Sequence, residues 1–387
     1  MLAVPPSSDI RVDTISVDAF RVDCDDAVAL PKALCRAWEH LSADSAEPSC
    51  FLEHWFALPS LAHLRGALPV RVLSVWAGEE LVGVMPLATA HRYGRIPVRH
   101  TVNWQSGQSF YVAPLIRTGW VELFWRAVID TLDAAPWAPS FLSIVGIAEG
   151  GAVHRGLKAV AGECGRPCPI VHRQSRALLA SQLTPDAYLD AAIRSKKRKE
   201  LRRLRNRLDE LGLVTFRSFG PDDDLSAWLT DFLILEAAGW KGADGAAFAN
   251  APQSTAFFNA MMRGAYATGT LDFQRIDLDG CAIAMLINFH RPPGSFSFKI
   301  AYNETLARFS PGVLIELENL KRVLNNPALE WMDSCAAADH PMINSLWMER
   351  RSIVQVSVAL KGARRRMIYS ACRALERGSA ALRRWRR

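Results

Sequence analysis

The side chains best suited to chemistry gather in the second half of the chain. Glu236 lies in LEAAGWKG, near the end of an expected helix and beside Gly239, Trp240 and Lys241. Lys299 falls inside the expected strand FSFKIAY, where a cation requires either a structural ion pair or a function. Tyr302 ends that strand. Asp333, in EWMDSCA, stands at a strand end, where open α/β sheets collect ligands, and His340 follows in AADHP with a side chain that titrates near neutrality unaided. Trp240, Lys241 and Trp347 are placed to wall a bound substrate, although core packing accounts for tryptophans equally well. Between these groups, Ser310-Pro311-Gly312 opens a helix after a polar loop. Ser310 suits the N-cap, Pro311 has no amide hydrogen to leave unpaired, and Gly312 admits a ligand close to the backbone. The free amides of this helix start, through Val313, make a candidate anion site.

Several strong signatures are missing. No G-x-x-x-x-G-K-[ST], G-x-G-x-x-G, H-E-x-x-H or G-x-S-x-G occurs, which argues against P-loop nucleotide hydrolysis, dinucleotide oxidoreduction, zincin proteolysis and α/β-hydrolase chemistry. Eight scattered cysteines form no disulfide framework, and the start MLAVPPSSDIRVDT has no basic segment followed by an apolar one, so a reduced, cytoplasmic protein is expected. Cys164, Cys168 and His172 lack an evident fourth ligand, and no metal is expected.

The elements that position these groups follow a repeated order. In each half, helical segments precede two strands joined by a tight turn, then a third strand, a helix and a further strand; the segments include Ser109 to Ile116 and Phe141 to Ile147 in the first half, and Leu271 to His290 and Ser295 to Tyr302 in the second. The expected fold class is α/β with mixed sheets, built from two related modules over residues 11–180 and 181–360 and followed by a basic tail, 361–387. A helix is expected from Pro185 to Leu211, capped by Thr184 and ended by Gly212, with Ile193, Leu201, Leu204, Leu208 and Leu211 on one stripe. On it Lys197 falls along the stripe and Arg194 at its edge, so these two face either a carboxylate, an anionic ligand or, by snorkelling, water. Net charge is +7, yet residues 194–207 contribute +8 and the tail +9, leaving an acidic body of about −10. The tail can form an amphipathic helix with Met367, Ile368, Ala371, Leu375, Leu382 and Trp385, suited to an anionic bilayer surface.

The order of elements resembles the GNAT acetyltransferase fold, in which acyl-CoA pyrophosphate rests on amides between the fourth strand and the next helix. Here Ser310 to Val313 stand at that position, without the usual [QR]-x-x-G-x-[GA] loop. The segments SKKRKELRRLRNRLDELG, LEAAGWKG, the LDG turn and FKIAYNETLARFSPG resemble the cellulose-biosynthesis (CelD-type) acetyltransferases, which are related to the FemAB-type transferases of two GNAT modules. The likeness covers residues 180–357 well and the first half loosely. It implies direct attack by an acceptor amine or hydroxyl on the thioester of acetyl-CoA or another acyl-CoA, with a sugar-type acceptor in exopolysaccharide or cell-envelope assembly. Glu236, Asp333 or His340 would act as base, Lys299 and Tyr302 would assist, and Ser310 to Val313 with Arg194 and Lys197 would hold the cofactor. It further implies a polysaccharide synthase or the inner membrane as partner, and not nucleic acid. Two alternatives stay open: an aminoacyl-tRNA-dependent transferase, prompted by the basic helix, and a noncatalytic docking module, prompted by the missing loop.

Overall fold

Asp279 and Gly280 both take positive φ, 51° and 80°, the backbone that a two-residue hairpin turn of right-handed twist requires. The Asp-Gly turn thus joins β9 (Leu271–Leu278) to β10 (Cys281–Arg291), as the alternation in LDFQRIDLDGCAIAMLINFH predicts. The computed structural model describes residues 20–385, with side chains as far as Gly378. The expectations on residues 11–19, on the start MLAVPPSSDIRVDT, and on the Leu382 and Trp385 side chains lie outside that range.

The first half runs β1 (Phe20–Asp26), α1 (Lys32–Leu41), α2 (His54–His63), β2 (Val70–Ala77), β3 (Glu80–Ala90), β4 (His100–Asn103), β5 (Leu115–Ile116), α3 (Val121–Ala134), β6 (Phe141–Ala148), α4 (Ala152–Glu163) and β7 (Ile170–Leu179). After α5 (Pro185–Ala192) and α6 (Ser195–Asp209), the second half runs β8 (Val214–Ser218), α7 (Leu225–Ala237), α8 (Trp240–Ala243), α9 (Pro252–Ala267), β9, β10, β11 (Gly294–Tyr302), α10 (Pro311–Leu324), β12 (Trp331–Asp333), α11 (Pro341–Asn344) and β13 (Glu349–Ala359). A final helix, α12, spans Ala363–Trp385.

All main strands share one mixed sheet, ordered β1-β2-β3-β4-β6-β13-β7-β12-β11-β10-β9-β8. Each half supplies four antiparallel strands and a fifth parallel to the fourth, β4 with β6 and β11 with β12. The last strand of each half then crosses over. The second half's β13 lies between β6 and β7, and the first half's β7 lies between β12 and β13. Helices α2 and α9 pack together so closely that a Cβ on Gly264 would stand 2.7 Å from that of Trp55. One hydrophobic core accordingly runs through both halves.

The crossing is fixed by charge. Arg176 on β7 and Arg351 on β13 are directly opposite in the ladder, a pairing that repels. Between them lies Asp333, fully buried at the end of β12. Its carboxylate meets Arg176 Nε at 2.6 Å and Nη2 at 2.7 Å, Arg351 Nη1 at 3.1 Å, and the Cys335 amide at 2.9 Å. Burial alone would push this carboxyl up, but the two guanidiniums hold it below the ordinary carboxylate range.

Three expected elements come out differently. Of Ser109 to Ile116, only β5 pairs as a strand, and the third strand is β4, because the preceding residues are spent filling a cleft described below. The helix expected from Pro185 to Leu211 breaks at Ile193, whose extended backbone (φ −117°, ψ 121°) buries its side chain beside Tyr188. Thr184 does cap α5, accepting from the Ala187 amide at 3.4 Å, whereas Gly212 at φ 158° supplies no left-handed cap. In α12 the side turned inward carries Tyr369 and Cys372 against Phe141 and Tyr93, so Met367 and Leu375 face outward.

Removing Asp333 leaves the buried Arg176 and the partly buried Arg351 without their shared carboxylate, so Asp333→Ala should cost about 3–5 kcal/mol in equilibrium denaturation. Replacing Asp333, Arg176 and Arg351 together by apolar residues of similar volume should recover most of the loss. Because the folded carboxyl titrates below its unfolded value of about 3.9, its contribution is present above that pH and disappears as pH falls through the folded value. Acid unfolding of the wild type should therefore steepen below about pH 4, and that of the apolar variant should not.

Candidate active site

Parallel pairing of β11 with β12 stops at Phe296 and Asp333, and beyond that point the strands part. A register shift in the β10 pairing, where Ile287 faces Lys299 and Asn288 faces Ser297, leaves Phe298 as a bulge in β11. The bulge overturns the simple alternation expected for this strand: it brings the Phe298 ring round to Lys299 instead of leaving it on the opposite face. The Lys299 ammonium lies 5.3 to 5.7 Å from the rings of Phe248, Phe298 and Phe110, the last from the first half of the chain. Burial, with Lys241 adding repulsion and Glu236 opposing it, lowers this lysine to about 8.

Glu236 is buried at the end of α7. It accepts from the Phe248 amide at 2.9 Å, and its other oxygen is 3.5 Å from Lys241 Nζ. Lys241 also donates to the Ile300 carbonyl at 2.8 Å, on the strand that is parting from its neighbour. Glu304 holds the Trp240 amide at 2.8 Å, although the Trp240 side chain is exposed. Tyr302 completes this crevice and packs on Gly312 so tightly that a Cβ there would lie 3.2 Å from its ring. The crevice holds about 20 Å³, room for a water molecule.

The structure thus gathers Glu236, Trp240, Lys241, Lys299 and Tyr302, with Gly312 behind them. It places the other candidates elsewhere. Asp333 is committed to its two arginines. His340 caps α11, its Nδ1 accepting from the Ile343 amide at 3.4 Å. Trp347 is 1% exposed in a separate apolar cluster with Tyr188 and Met332 and walls no crevice. Arg194 and Lys197 are exposed, because the break at Ile193 rotates α6 away from the expected stripe; Lys197 Nζ donates to Ser345 at 2.7 Å. Ser310 takes a left-handed conformation (φ 54°, ψ 50°) and makes no side-chain cap, while Val313 and Leu314 amides turn to its carbonyl. That leaves Gly312 as the amide donor at this helix start. Sequence reasoning missed Phe110, Phe248 and Glu304. Glu304 stands two residues beyond Tyr302 and carried a local signal, whereas Phe110 carries none because it arrives from the other half.

The first half has the same cleft, but its own chain closes it. Beyond Ser143, the β6 backbone is taken up by Asn103, which exchanges hydrogen bonds with Val145 at 2.8 and 2.9 Å, and by the Val112 amide, which donates to Gly146 at 3.0 Å. Tyr111, Val112 and Ala113 are buried there.

Residues 195–340 match the family described as acetyltransferase (GNAT) domain. No curated protein matches the sequence. Two solved structures share the fold across both halves. One is FemX, at TM-score 0.55 and 9% identity, with 87% of this chain and 98% of that chain covered. The other is a conserved protein of unknown function from Bacteroides thetaiotaomicron VPI-5482, at TM-score 0.51 and 12% identity, covering 86% and 98%. Residues 195–340 are thus similar to a GNAT acetyltransferase domain, and that match supports an acyltransferase.

The neighbours of Lys299 give a test of its setting. Competitive acetylation by acetic anhydride, read by mass spectrometry against pH, should give Lys299 a midpoint near 8, well below ordinary lysines. Glu236→Gln should move that midpoint down and Lys241→Met should move it up; a midpoint above 10 in the wild type contradicts this environment.

Proposed function

We propose that the protein transfers an acyl group, acetyl foremost, from acyl-CoA to an amine or hydroxyl of a sugar-type acceptor, at the cleft where β11 parts from β12. One observation carries this reading: a half-buried lysine ringed by Phe110, Phe248 and Phe298, a buried carboxylate and an unpaired strand edge meet inside the part of the chain that matches an acetyltransferase domain. The likeness of LEAAGWKG and FKIAYNETLARFSPG to the CelD-type family points to exopolysaccharide or cellulose assembly as the setting.

The residues present fit the anionic part of acyl-CoA. The Gly312 amide lies at the positive end of α10, and a cavity of about 370 Å³ alongside that helix is lined by Arg198, Arg202, Arg205 and Lys321 together with Asp186, Asp190 and Glu318. Arg198, Arg205 and Lys321 are paired with Asp190, Asp209 and Glu318, which leaves Arg202 as the cation there without a carboxylate partner among the described residues. Acyl-CoA supplies the activated carbonyl. Above pH 8 the neutral Lys299 amine can accept the proton of the attacking acceptor group, at a pKa suited to that work. Glu236 and Lys241 hold the strand edge in place, and the Tyr302 hydroxyl, at the mouth of the crevice, can return a proton to the leaving thiolate. No covalent enzyme nucleophile is needed.

Calorimetry with acetyl-CoA should show binding that weakens in an Arg202→Glu, Arg205→Glu variant, and Lys299→Met should cut thiol release with amino-sugar acceptors about 10²- to 10⁴-fold while leaving binding intact. A folded sample that binds no acyl-CoA at millimolar ligand contradicts the reading. A second reading, an aminoacyl-tRNA-dependent transferase, draws on α6, where Lys196, Lys199, Arg202, Arg203 and Arg207 are exposed. It requires tRNA binding that falls steeply with salt.

Among the described residues no helix is long and apolar enough to cross a membrane. We place the protein peripherally on an anionic bilayer through α12, whose outward Met367, Ala371 and Leu375 recur every four residues between exposed Arg364, Arg366 and Arg377. Sedimentation with vesicles should show binding to phosphatidylglycerol but not to phosphatidylcholine. Arg364→Glu with Arg366→Glu should abolish it, and equal binding to both lipids contradicts the placement.

A further inference from the structure

A cavity of about 1210 Å³ lies away from the acyl-transfer crevice, in the first half, between the ends of β2, β3 and β4 and the loop before β6. Its polar character is of one sign. Arg65, Arg71, Arg99 and His91 line it, and among the described residues no carboxylate does. Asp26, opposite Arg71 in the ladder, is engaged with the Val28 amide at 2.9 Å, and Arg65 Nε is buried without a hydrogen-bond partner. In a body that is acidic away from α6 and the tail, such a concentration of arginine, with no carboxylate lining the groove among the described residues, marks a place for an anion. The rest of the lining is apolar and includes the half-buried indoles of Trp104 and Trp137; the Arg71 guanidinium lies 5.1 Å from the Trp137 ring.

Gln105 and Val145 line this cavity and also a second one of about 480 Å³. The second cavity ends against Arg176, Phe110 and Cys335. Phe110 is the residue whose ring stands 5.6 Å from Lys299 and whose carbonyl Arg176 holds at 2.8 Å. The basic groove therefore leads toward the wall of the second-half cleft.

We propose that this groove binds an acidic saccharide, a sugar chain carrying carboxylate or phosphate, with Arg71 and Arg99 on the charge and Trp104 and Trp137 against ring faces. Flat indoles in an apolar lining suit sugar rings, guanidiniums pair with carboxylate or phosphate in a fork, and the volume exceeds the roughly 300–1,000 Å³ of a single small-ligand pocket, as a chain of several rings requires. The direction toward Phe110 makes it the acceptor site; that part alone rests on the transferase reading.

Tryptophan fluorescence of the full chain, titrated with trigalacturonate, with glucose 1-phosphate and with neutral cellotriose, tests the binding without turnover. At least one anionic probe should saturate the signal with an affinity at least tenfold above cellotriose, and which one does so separates carboxylate from phosphate. Arg71→Ala with Arg99→Ala, both exposed, should lower that affinity at least tenfold and keep the melting temperature and acetyl-CoA binding; Trp137→Phe should weaken both anionic and neutral binding. The proposal is overturned if neither anionic probe saturates, if cellotriose binds equally well, if the double variant binds undiminished, or if a single-stranded RNA oligonucleotide binds more tightly than either anionic saccharide. Loss of acetyl-CoA binding with saccharide binding intact would instead remove the transferase reading and leave the groove.

Discussion

Two arginines face each other across neighbouring strands at the centre of the sheet, and the buried carboxylate of Asp333, with Glu47 3.7 Å from Arg351 beside it, makes that arrangement tolerable. Arg176 comes from the first half, Arg351 from the second, and Asp333 binds both. Desolvating three charges costs several kcal/mol per ion, so the cluster adds little net stability over an apolar packing of the same shape. Its value lies in what it forbids. With Asp333 in place, β13 has only one satisfactory position, between β6 and β7, and each half is completed by the other's last strand. The Arg351 guanidinium extends the arrangement by lying over Tyr111 and Trp331 at 4.7 and 4.5 Å, and Tyr111 in turn donates to Glu47 at 2.5 Å.

The position of Lys299 follows from this exchange. Phe110 sits against Lys299 because Arg176, already fixed by Asp333, holds the Phe110 carbonyl. Part of the surroundings of Lys299 is thus first-half chain, and the burial that lowers this lysine is owed in part to a residue 189 positions away in sequence. The halves have diverged in a way that suits division of labour. One cleft is stitched closed by Asn103, Tyr111 and Val112, while the other keeps its strand edge open for Lys241 and Lys299. The closed half retains the large basic cavity.

What could be seen in the sequence was mostly local. The Asp-Gly turn, the Thr184 cap, the repeated order of elements and the gathering of Glu236, Lys241, Lys299 and Tyr302 all depend on residues near one another along the chain or on one strand's end. What could not be seen depends on partners far away. Asp333 reads as a free acid at a strand end until Arg176 and Arg351 arrive from distant strands. Trp347 reads as a substrate wall until Tyr188 and Met332 enclose it. Lys197 falls on the apolar stripe of an unbroken helix, facing a carboxylate, an anion or, by snorkelling, water, and one extended residue, Ile193, turns α6 so that it is exposed. The bulge at Phe298 similarly overturns a strict alternation that a single strand's sequence implies.

The central claim is that one acyl-CoA site, in the second half, is walled by both halves. Hydrogen exchange by mass spectrometry with saturating acetyl-CoA tests it most directly. The account predicts slowed exchange at residues 297–302 and 310–316 and, through Phe110, at 105–112 of the first half. Unchanged exchange over 297–316, or protection confined to the first half, would contradict it.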